Sequence, residues 1–191
     1  STNANVETGW NIIGSVDHSV TAPSGGIIVS PVYGYTAAGG YSVATTLEPG
    51  KAYWIKTSSG GTVAIGPSAA PATARSVHEF NSLKFSDNER RSQTLYLAGE
   101  HTEELHAERF ELPPSPPSGI FSVRFATGRM LEVAEGTAKD VAVKLSSGVF
   151  PLTVRWNMKE EISDAALVID GARYPLKGEG ATTLQEQPQS I

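Results

Sequence analysis

The segment EPGKAYWIKTSSGGTVAI, residues 48–65, is typical of short strands separated by turns. Pro49 pre-sets φ at the second position of a type II turn, and Gly50 accepts the positive φ required at the third. The strand KAYWIKT follows, and SSGG then reverses the chain into TVAI. Together with YSVATTL before the turn, residues 41–65 predict a three-stranded antiparallel meander.

Tyr53 and Trp54 are adjacent on the strand that follows this turn, so their side chains point to opposite faces of the sheet. Tyr53 shares its face with Ile55, and Trp54 shares its face with Lys56. We predict that Tyr53 and Ile55 point into the core and that Trp54 is partly covered on the other face. Packing accounts for both rings without a ligand, because aromatic residues are enriched in strands for packing reasons.

Glycan binding is the functional alternative for the same strand. Sugar rings present apolar C–H faces, and an exposed tryptophan with polar neighbours is what binding them requires. The candidate ligand-binding residues are Trp54 and Lys56, together with Tyr35 and Tyr41, which lie nearby in the sequence. The first third of the chain therefore predicts either ordinary packing or a glycan-binding surface.

Strand patterns continue on both sides of this region. GWNIIGSV places Trp10, Ile12 and Val16 on one face, and apolar alternation recurs in FNSLKFSD, QTLYLAG, GIFSVRFATG, DVAVKLSSG and PLTVRWNM. We assign Trp10 and Trp156 to hydrophobic cores. ALVIDGARYPL contains an Asp-Gly hairpin signal. About seven short strands over roughly 100 residues predict an antiparallel sandwich of the immunoglobulin-like kind.

The chain is predicted to be all-β, with two small antiparallel β modules. The boundaries are a β-meander module at 1–66, a linker at 67–78, an immunoglobulin-like β-sandwich module at 79–178 and a tail at 179–191. The linker consists largely of small residues and proline. The tail lacks apolar periodicity, so we expect it to be frayed or to lead into a further domain. Residues 100–112 are expected to form one or two helical turns.

The composition is that of a globular protein and excludes several classes of function. Of the 191 residues, 39% are hydrophobic and 18% are charged, as in ordinary folded domains. A net charge of −5 gives no electrostatic footprint for nucleic acid or an anionic membrane. No apolar run approaches the roughly 20 residues of a membrane-spanning helix. The absence of cysteine rules out disulfides, iron–sulfur clusters and cysteine-ligated zinc.

No pattern of histidines and carboxylates predicts a metal site. His101 and His106 are five residues apart, which is not the spacing that places ligands on one helical face, and HExxH is absent. The same segment contains Glu103, Glu104 and Glu108. We interpret it as a solvated acidic stretch.

Other candidates for chemistry are equally incomplete. The adjacent acids Glu160 and Glu161, like the pair at 103–104, lack the fixed separation across a cleft that acid–base hydrolysis requires. Asp87-Asn88-Glu89 lacks EF-hand spacing and is interpreted as a turn. The sequence has no GxSxG elbow, and TSSGGTV lacks the lysine and the helix of a phosphate-binding loop. The sequence therefore predicts no catalytic residues, no metal and no cofactor.

Several motifs occur in an order that resembles a known family. They are GWNIIG, LEPGKAYWIK, FNSLKFSDNERRSQTLYLAG, FELPPSPPSGIFSVRFATGRMLEV and FPLTVRW, within roughly residues 8–178. This order resembles the β-rich modules found just upstream of the C-terminal sorting domain in surface and secreted proteins of the type IX secretion system of Bacteroidetes-like bacteria. The resemblance implies an extracellular or cell-surface location and a β-rich architecture. It implies no catalytic residues, because the family has none in common.

We therefore predict a non-catalytic extracellular module with a structural or adhesive role, as a spacer or as a subunit of a surface layer or fibre. Its expected partners are further copies of itself or other surface proteins, because exposed strand edges accept added strands. The alternative is a carbohydrate-binding module attached to a secreted enzyme, with Trp54 as its anchor and glycans as partners. A hydrolase is the third hypothesis, and it requires His101, His106 and two acids to converge in one pocket.

Overall fold

The computed structural model describes residues 2–14, 17–66, 77–99, 105–134, 139–159 and 162–191. These residues form strands, turns and two short 3₁₀ helices, at Val77–Glu79 and Ala107–Phe110, and no α-helix occurs among them. The all-β prediction is confirmed. The chain divides into two compact units, Ser1–Tyr35 with Tyr41–Arg75, and Thr36–Gly40 with Ser76–Ile191. Most of the predicted linker 67–78 lies outside the described residues.

Eight of the described strands lie wholly or mostly in the first unit. They are β1 (Thr2–Val6), β2 (Gly9–Gly14), β3 (Val20–Thr21), β4 (Tyr33–Thr36), β5 (Gly40–Val43), β6 (Thr46–Leu47), β7 (Ala52–Thr57) and β8 (Gly61–Ile65). Four of them form a sheet in the order β2-β7-β4-β5, while β1 pairs with β8 and β3 pairs with β6. Strand β7 is therefore paired on both edges.

The predicted meander over residues 41–65 is wrong, because β8 pairs with β1 and β7 pairs with β2 and β4. The reason lies in packing. Val63 and Ile65 of β8 belong to the same buried cluster as Tyr53 and Ile55 of β7, so β8 packs against the inner face of β7 instead of bonding to its edge. Tyr53 and Ile55 are buried, which confirms their predicted inward orientation.

The turn before β7 forms as its sequence predicts. Gly50 has a φ of 72°, and the Lys51 N–H donates to the Glu48 carbonyl at 3.3 Å. The Tyr53 hydroxyl accepts a hydrogen bond from the Glu48 N–H at 2.8 Å. The buried phenol of Tyr53 therefore ties the turn to the core.

The second unit is built on a five-stranded sheet. Its strands are β9 (Asn81–Ser86), β10 (Ser92–Ala98), β11 (Ser122–Phe125), β12 (Leu131–Val133), β13 (Val143–Ser146), β14 (Leu152–Asn157), β15 (Ala166–Ile169), β16 (Ala172–Pro175) and β17 (Glu179–Leu184). The sheet order is β12-β10-β9-β14-β17, and β11-β13 and β15-β16 form separate antiparallel pairs. Strands β15 and β16 are joined by the predicted Asp-Gly turn. The immunoglobulin-like topology stays a prediction.

One pairing departs from the predicted antiparallel arrangement. Strand β12 runs parallel to β10, with Tyr96 opposite Leu131 and Ala98 opposite Val133. Parallel neighbours need a long connection between them. The residues between β10 and β12 supply it, and they include the 3₁₀ helix Ala107–Phe110 and β11. The helix confirms a short helical turn within residues 105–112, whereas 100–104 lie outside the described residues.

The core of the second unit is shared by the sheet and the two strand pairs. Its buried members are Leu83, Phe85, Leu95, Phe121, Val123, Phe125, Leu152, Val154, Leu167, Ile169, Leu176 and Leu184. Trp156 packs against this cluster, as predicted from its alternation. Leu83, Leu95, Val154 and Trp156 lie on one face of the sheet, because facing residues of an antiparallel pair share a face.

The interpretation of residues 179–191 as a frayed tail is wrong. Glu179–Leu184 forms β17, which pairs residue by residue with Asn157–Leu152 of β14. Beyond it, the Val143 N–H donates to the Ile191 carbonyl at 2.8 Å. Backbone pairing holds this segment, and backbone pairing requires no apolar periodicity, which explains why the sequence pattern gave no strand signal.

The contact between Gly180 and Trp156 generates a prediction. The two residues face each other across β17 and β14, and a Cβ added to Gly180 would overlap the Trp156 indole. Gly180→Ala is therefore expected to destabilise the protein by about 1–3 kcal/mol through overpacking, as measured by urea unfolding. Gly14→Ala is the control, since nothing lies within 4 Å of its added Cβ. Equal effects of the two substitutions would contradict the packing described.

Candidate functional site

A cluster of aromatic residues lies on the four-stranded sheet β2-β7-β4-β5. It is on the outer face, which is the face opposite the buried Tyr53 and Ile55. Trp10 faces Lys56 across β2 and β7, and Ile12 faces Trp54 in the same pair of strands. Tyr33 of β4 faces Trp54 from the other side of β7. Because facing residues share a face of the sheet, these five residues lie on one face, here named the outer aromatic surface. Within it Tyr33 is completely buried, so Trp10, Ile12, Trp54 and Lys56 are the residues that reach solvent.

The rings of the outer aromatic surface are in contact. Trp10 and Trp54 meet edge to face, with centroids 6.4 Å apart and an interplanar angle of 81°. Trp10 and Tyr33 are 6.1 Å apart. The Lys56 Nζ lies 5.9 Å from the centroid of Trp10, within the range of a cation–π contact. Trp54 is half-buried, as predicted, and Ile12 is 60% exposed.

The assignment of Trp10 to a core is wrong. Strand β2 buries Ile13, which is 2% exposed, and turns Trp10 and Ile12 to the outer face. The sequence has two adjacent isoleucines, and a shift of one residue moves a whole strand pattern to the other face. The doublet Ile12-Ile13 was the signal that this strand had apolar residues on both faces. Val16, predicted on the same face as Trp10, lies outside the described residues.

The remaining candidates form a second aromatic pair. Tyr35 and Tyr41 meet with centroids 5.1 Å apart and an interplanar angle of 63°. Tyr35 is 38% exposed, whereas Tyr41 is only 7% exposed. Tyr35 lies two residues beyond Tyr33 on β4, so both are on the same face of that strand. Of the four predicted ligand-binding residues, Trp54 and Lys56 therefore both contact Trp10. The other two, Tyr35 and Tyr41, contact each other.

The outer aromatic surface is suited to binding and not to bond cleavage. It presents ring edges, an exposed aliphatic side chain and one ammonium group. Its five residues include no carboxylate and no imidazole, so it lacks the acid–base pair on which hydrolysis depends. Apolar ring surface beside a hydrogen-bond donor suits the C–H face and the hydroxyl groups of a sugar.

The Asp87 carboxylate stabilises a turn and does not form a cation site. Its Oδ2 accepts hydrogen bonds from the Arg91 Nε and Nη2 at 2.8 and 2.6 Å, and from the Val149 N–H at 3.3 Å. Its Oδ1 accepts from the Glu89 and Arg91 N–H groups at 3.1 and 2.9 Å. Both carboxylate oxygens are therefore occupied within the protein, and the predicted turn is confirmed.

The electrostatics of this carboxylate follow from the same contacts. Burial disfavours the charged form and would raise the pKa of Asp87. The hydrogen bonds from the Arg91 side chain, from backbone N–H groups and the charge of Arg91 outweigh burial, and the net result is a pKa below the ordinary value of 3.8. Asp87 is thus held as a carboxylate.

The other candidates for metal binding are only partly described. Among the described residues, no group of three or more histidines, aspartates or glutamates could hold a metal ion. His106 and Glu108 are exposed at the 3₁₀ helix, and the Glu108 carboxylate lies 3.6 Å from the Arg129 guanidinium. The remaining candidates, His101, Glu103, Glu104, Glu160 and Glu161, lie outside the described residues.

Comparison with known proteins does not assign the chain to a family. No protein-family model matches the sequence, and the comparisons with curated proteins and with solved structures found no match. The resemblance to type IX secretion modules therefore stays a prediction based on motif order. In the part of the chain that the structure describes, no helix has the length and apolar character needed to cross a membrane.

Asp87→Asn tests the role of the buried carboxylate. Removing the charge that Arg91 and the backbone N–H groups surround is expected to cost about 3 kcal/mol of unfolding free energy at pH 7. Because the folded pKa is lowered, this stability is present above pH 3.8 and is lost as pH falls through the folded value. The difference between wild type and variant should therefore shrink below that pH.

The measurement is urea unfolding of both proteins over a series of pH values. Asp140→Asn is the control, since Asp140 is exposed. A difference between wild type and Asp87→Asn that persists unchanged to the lowest pH would show that the charge of Asp87 is not what stabilises the turn.

Proposed function

We propose that this chain is a non-catalytic structural and adhesive module of an extracellular or cell-surface protein, and that it associates by strand addition. The observation that carries the proposal is the open edge of β17 in the second unit. The order of the sequence motifs supports the extracellular location.

Strand β17 has the features of an edge that accepts a partner. It is the last strand of the sheet, and along its six residues it pairs only with β14 among the described strands. Native sheets blunt such edges with lysine, proline, bulges or very short strands. The sequence EGATTL contains no lysine and no proline, and its register with β14 has no bulge. By contrast, β12 at the opposite edge has only three residues.

The assembly that strand addition produces depends on which edge of the second copy pairs with β17. If β17 pairs with β17 of a second copy, the contact is the same on both chains and closes a symmetric dimer. If β17 pairs with a different edge, the contact repeats and produces a fibre. In both cases the backbone of β17 supplies the hydrogen bonds, and the exposed side chains of Ala181 and Thr183 border the contact.

Ala181→Lys/Thr183→Lys tests the edge. Wild-type protein is expected to form dimers or longer assemblies as its concentration rises, and the variant is expected to stay monomeric, because charged side chains on an edge strand oppose pairing. Sedimentation velocity measures the difference, and circular dichroism checks the fold. Ser115→Lys/Ser118→Lys is the matched control, with the same charge change on two exposed loop residues. A wild type that is monomeric at every concentration would contradict the proposal.

Carbohydrate binding is the second candidate function, and the outer aromatic surface favours it. Trp10 and Trp54 present ring surface beside the exposed Ile12, and the Lys56 ammonium provides a donor. In this proposal the chain is a carbohydrate-binding module of a secreted enzyme. Trp10 then contributes beside Trp54, an arrangement that the sequence did not predict.

A glycan array with Trp54→Ala tests this second function. Saturable binding to a glycan is expected in the wild type, and loss of the indole is expected to weaken it at least about tenfold, as for a central aromatic contact. Ile120→Ala is the comparison, since Ile120 is an exposed apolar residue that does not belong to the outer aromatic surface. Binding that survives Trp54→Ala, or no glycan bound by the wild type, would exclude the outer aromatic surface as the site.

A further inference from the structure

Two cations face each other on the outer face of the five-stranded sheet. Lys84 of β9 is directly opposite Arg155 of β14, and both side chains are exposed. Facing residues in such a pair have Cβ atoms about 4.5–5.5 Å apart. Both lie on the face opposite the core, since their neighbours Leu83 and Val154 point into it.

This pairing works against the stability of the sheet. Like charges placed directly opposite each other are destabilising, whereas opposite charges or hydroxyl pairs are favourable. Among the described residues, neither Lys84 nor Arg155 forms an ion pair. The protein as a whole has a net charge of −5, so a local pair of unneutralised cations is unexpected. Exceptions to local rules of this kind concentrate at functional sites.

The side chains around the two cations are polar. Lys84 faces Thr94 of β10, and the next row of the same face consists of Ser92, Ser86, Thr153 and Thr183. These hydroxyl groups lie across four adjacent strands. A surface of this composition offers hydrogen bonds to a ligand.

One acid lies on the same face, one row away. Glu179 faces Asn157, and its carboxylate accepts a hydrogen bond from the Asn157 Nδ2 at 3.2 Å. The Glu179 carboxylate is not within 4.0 Å of Lys84 or Arg155, so it does not pair with either cation. Its charge nonetheless reduces the local positive potential.

From these observations we propose that Lys84 and Arg155 form a binding site for the carboxylate or sulfate groups of an acidic polysaccharide. Arg155 offers a planar fork that matches an oxyanion, and Lys84 adds a second positive charge from the neighbouring strand. The hydroxyl groups of Ser86, Thr94 and Thr153 bond to the sugar hydroxyls on either side. The like-charge pair is stabilised when an anion lies between the two side chains.

The chemistry favours a polysaccharide over a nucleic acid. Nucleic acids carry a charge on every nucleotide and are bound by broad basic surfaces. Here one pair of facing cations lies on a protein of net charge −5, which suits a chain with one charge in each repeating unit. Single-stranded nucleic acids also require exposed aromatic rings for stacking. The row of Asn157 and Glu179 continues through Ser82 to Tyr96, and Tyr96 is only 7% exposed.

The proposal goes beyond strand addition at β17 and does not depend on it. Its test uses the whole chain and biolayer interferometry on immobilised polygalacturonate, which carries carboxylates, and dextran sulfate, with neutral dextran as the blank. Wild type is expected to bind at least one of the two charged polymers, and the polymer bound identifies the oxyanion. Lys84→Gln and Arg155→Gln are each expected to weaken binding about tenfold. Glu179→Gln is expected to tighten it.

Matched controls separate the site from general charge effects. Lys51→Gln/Arg109→Gln removes one lysine and one arginine from exposed positions elsewhere, and it should change affinity by less than about twofold at physiological salt, where distant charges are screened. Thermal unfolding should show an unchanged or higher Tm for Lys84→Gln, because the repulsion is removed. Failure of wild type to bind either charged polymer, equal losses in the control, or tighter binding to an oligothymidylate would overturn the proposal.

Discussion

The alternation of side chains along a strand paired on both edges is the constraint on which both units depend. Strand β7 is such a strand in the first unit, and β14 is one in the second. A strand held on both sides cannot rotate, so each of its residues is committed to one face. On β7 this commits Tyr53 to the core and Trp54 to the outer face. On β14 it commits Val154 to the core and Arg155 to solvent.

Turns that lie far apart in the sequence are joined by hydrogen bonds, and Asp87 is the clearest example. Its carboxylate joins the turn between β9 and β10 to the turn before β14, since it accepts from Arg91 and from the Val149 N–H. The Asn88 N–H also donates to the Val149 carbonyl at 2.9 Å. A buried ionised group is stable only when surrounded by donors in this way. Asp87 resembled a cation ligand in the sequence, but in the structure its carboxylate oxygens accept hydrogen bonds from the protein itself.

The candidate binding surfaces all arise from sheets rather than from a cleft. The outer aromatic surface uses one face of the first sheet, the cationic pair uses one face of the second, and β17 offers an edge. Faces and edges of sheets bind extended partners such as strands and polysaccharide chains, whereas catalysis depends on groups that converge around a reacting atom. The proposed functions accordingly concern the binding of extended partners.

The sequence by itself determined the strand class, the turn at Pro49 and Gly50, the inward orientation of Tyr53 and the half-covered position of Trp54, because these depend on neighbours a few residues away. Only the tertiary structure decided that β8 pairs with β1, that residues 179–184 form a strand, and that Trp10 joins Trp54. It also decided that Lys84 faces Arg155, 71 positions later in the chain. Strand pairing and register are set by backbone hydrogen bonds between distant segments, and a local period carries no information about which segment lies alongside.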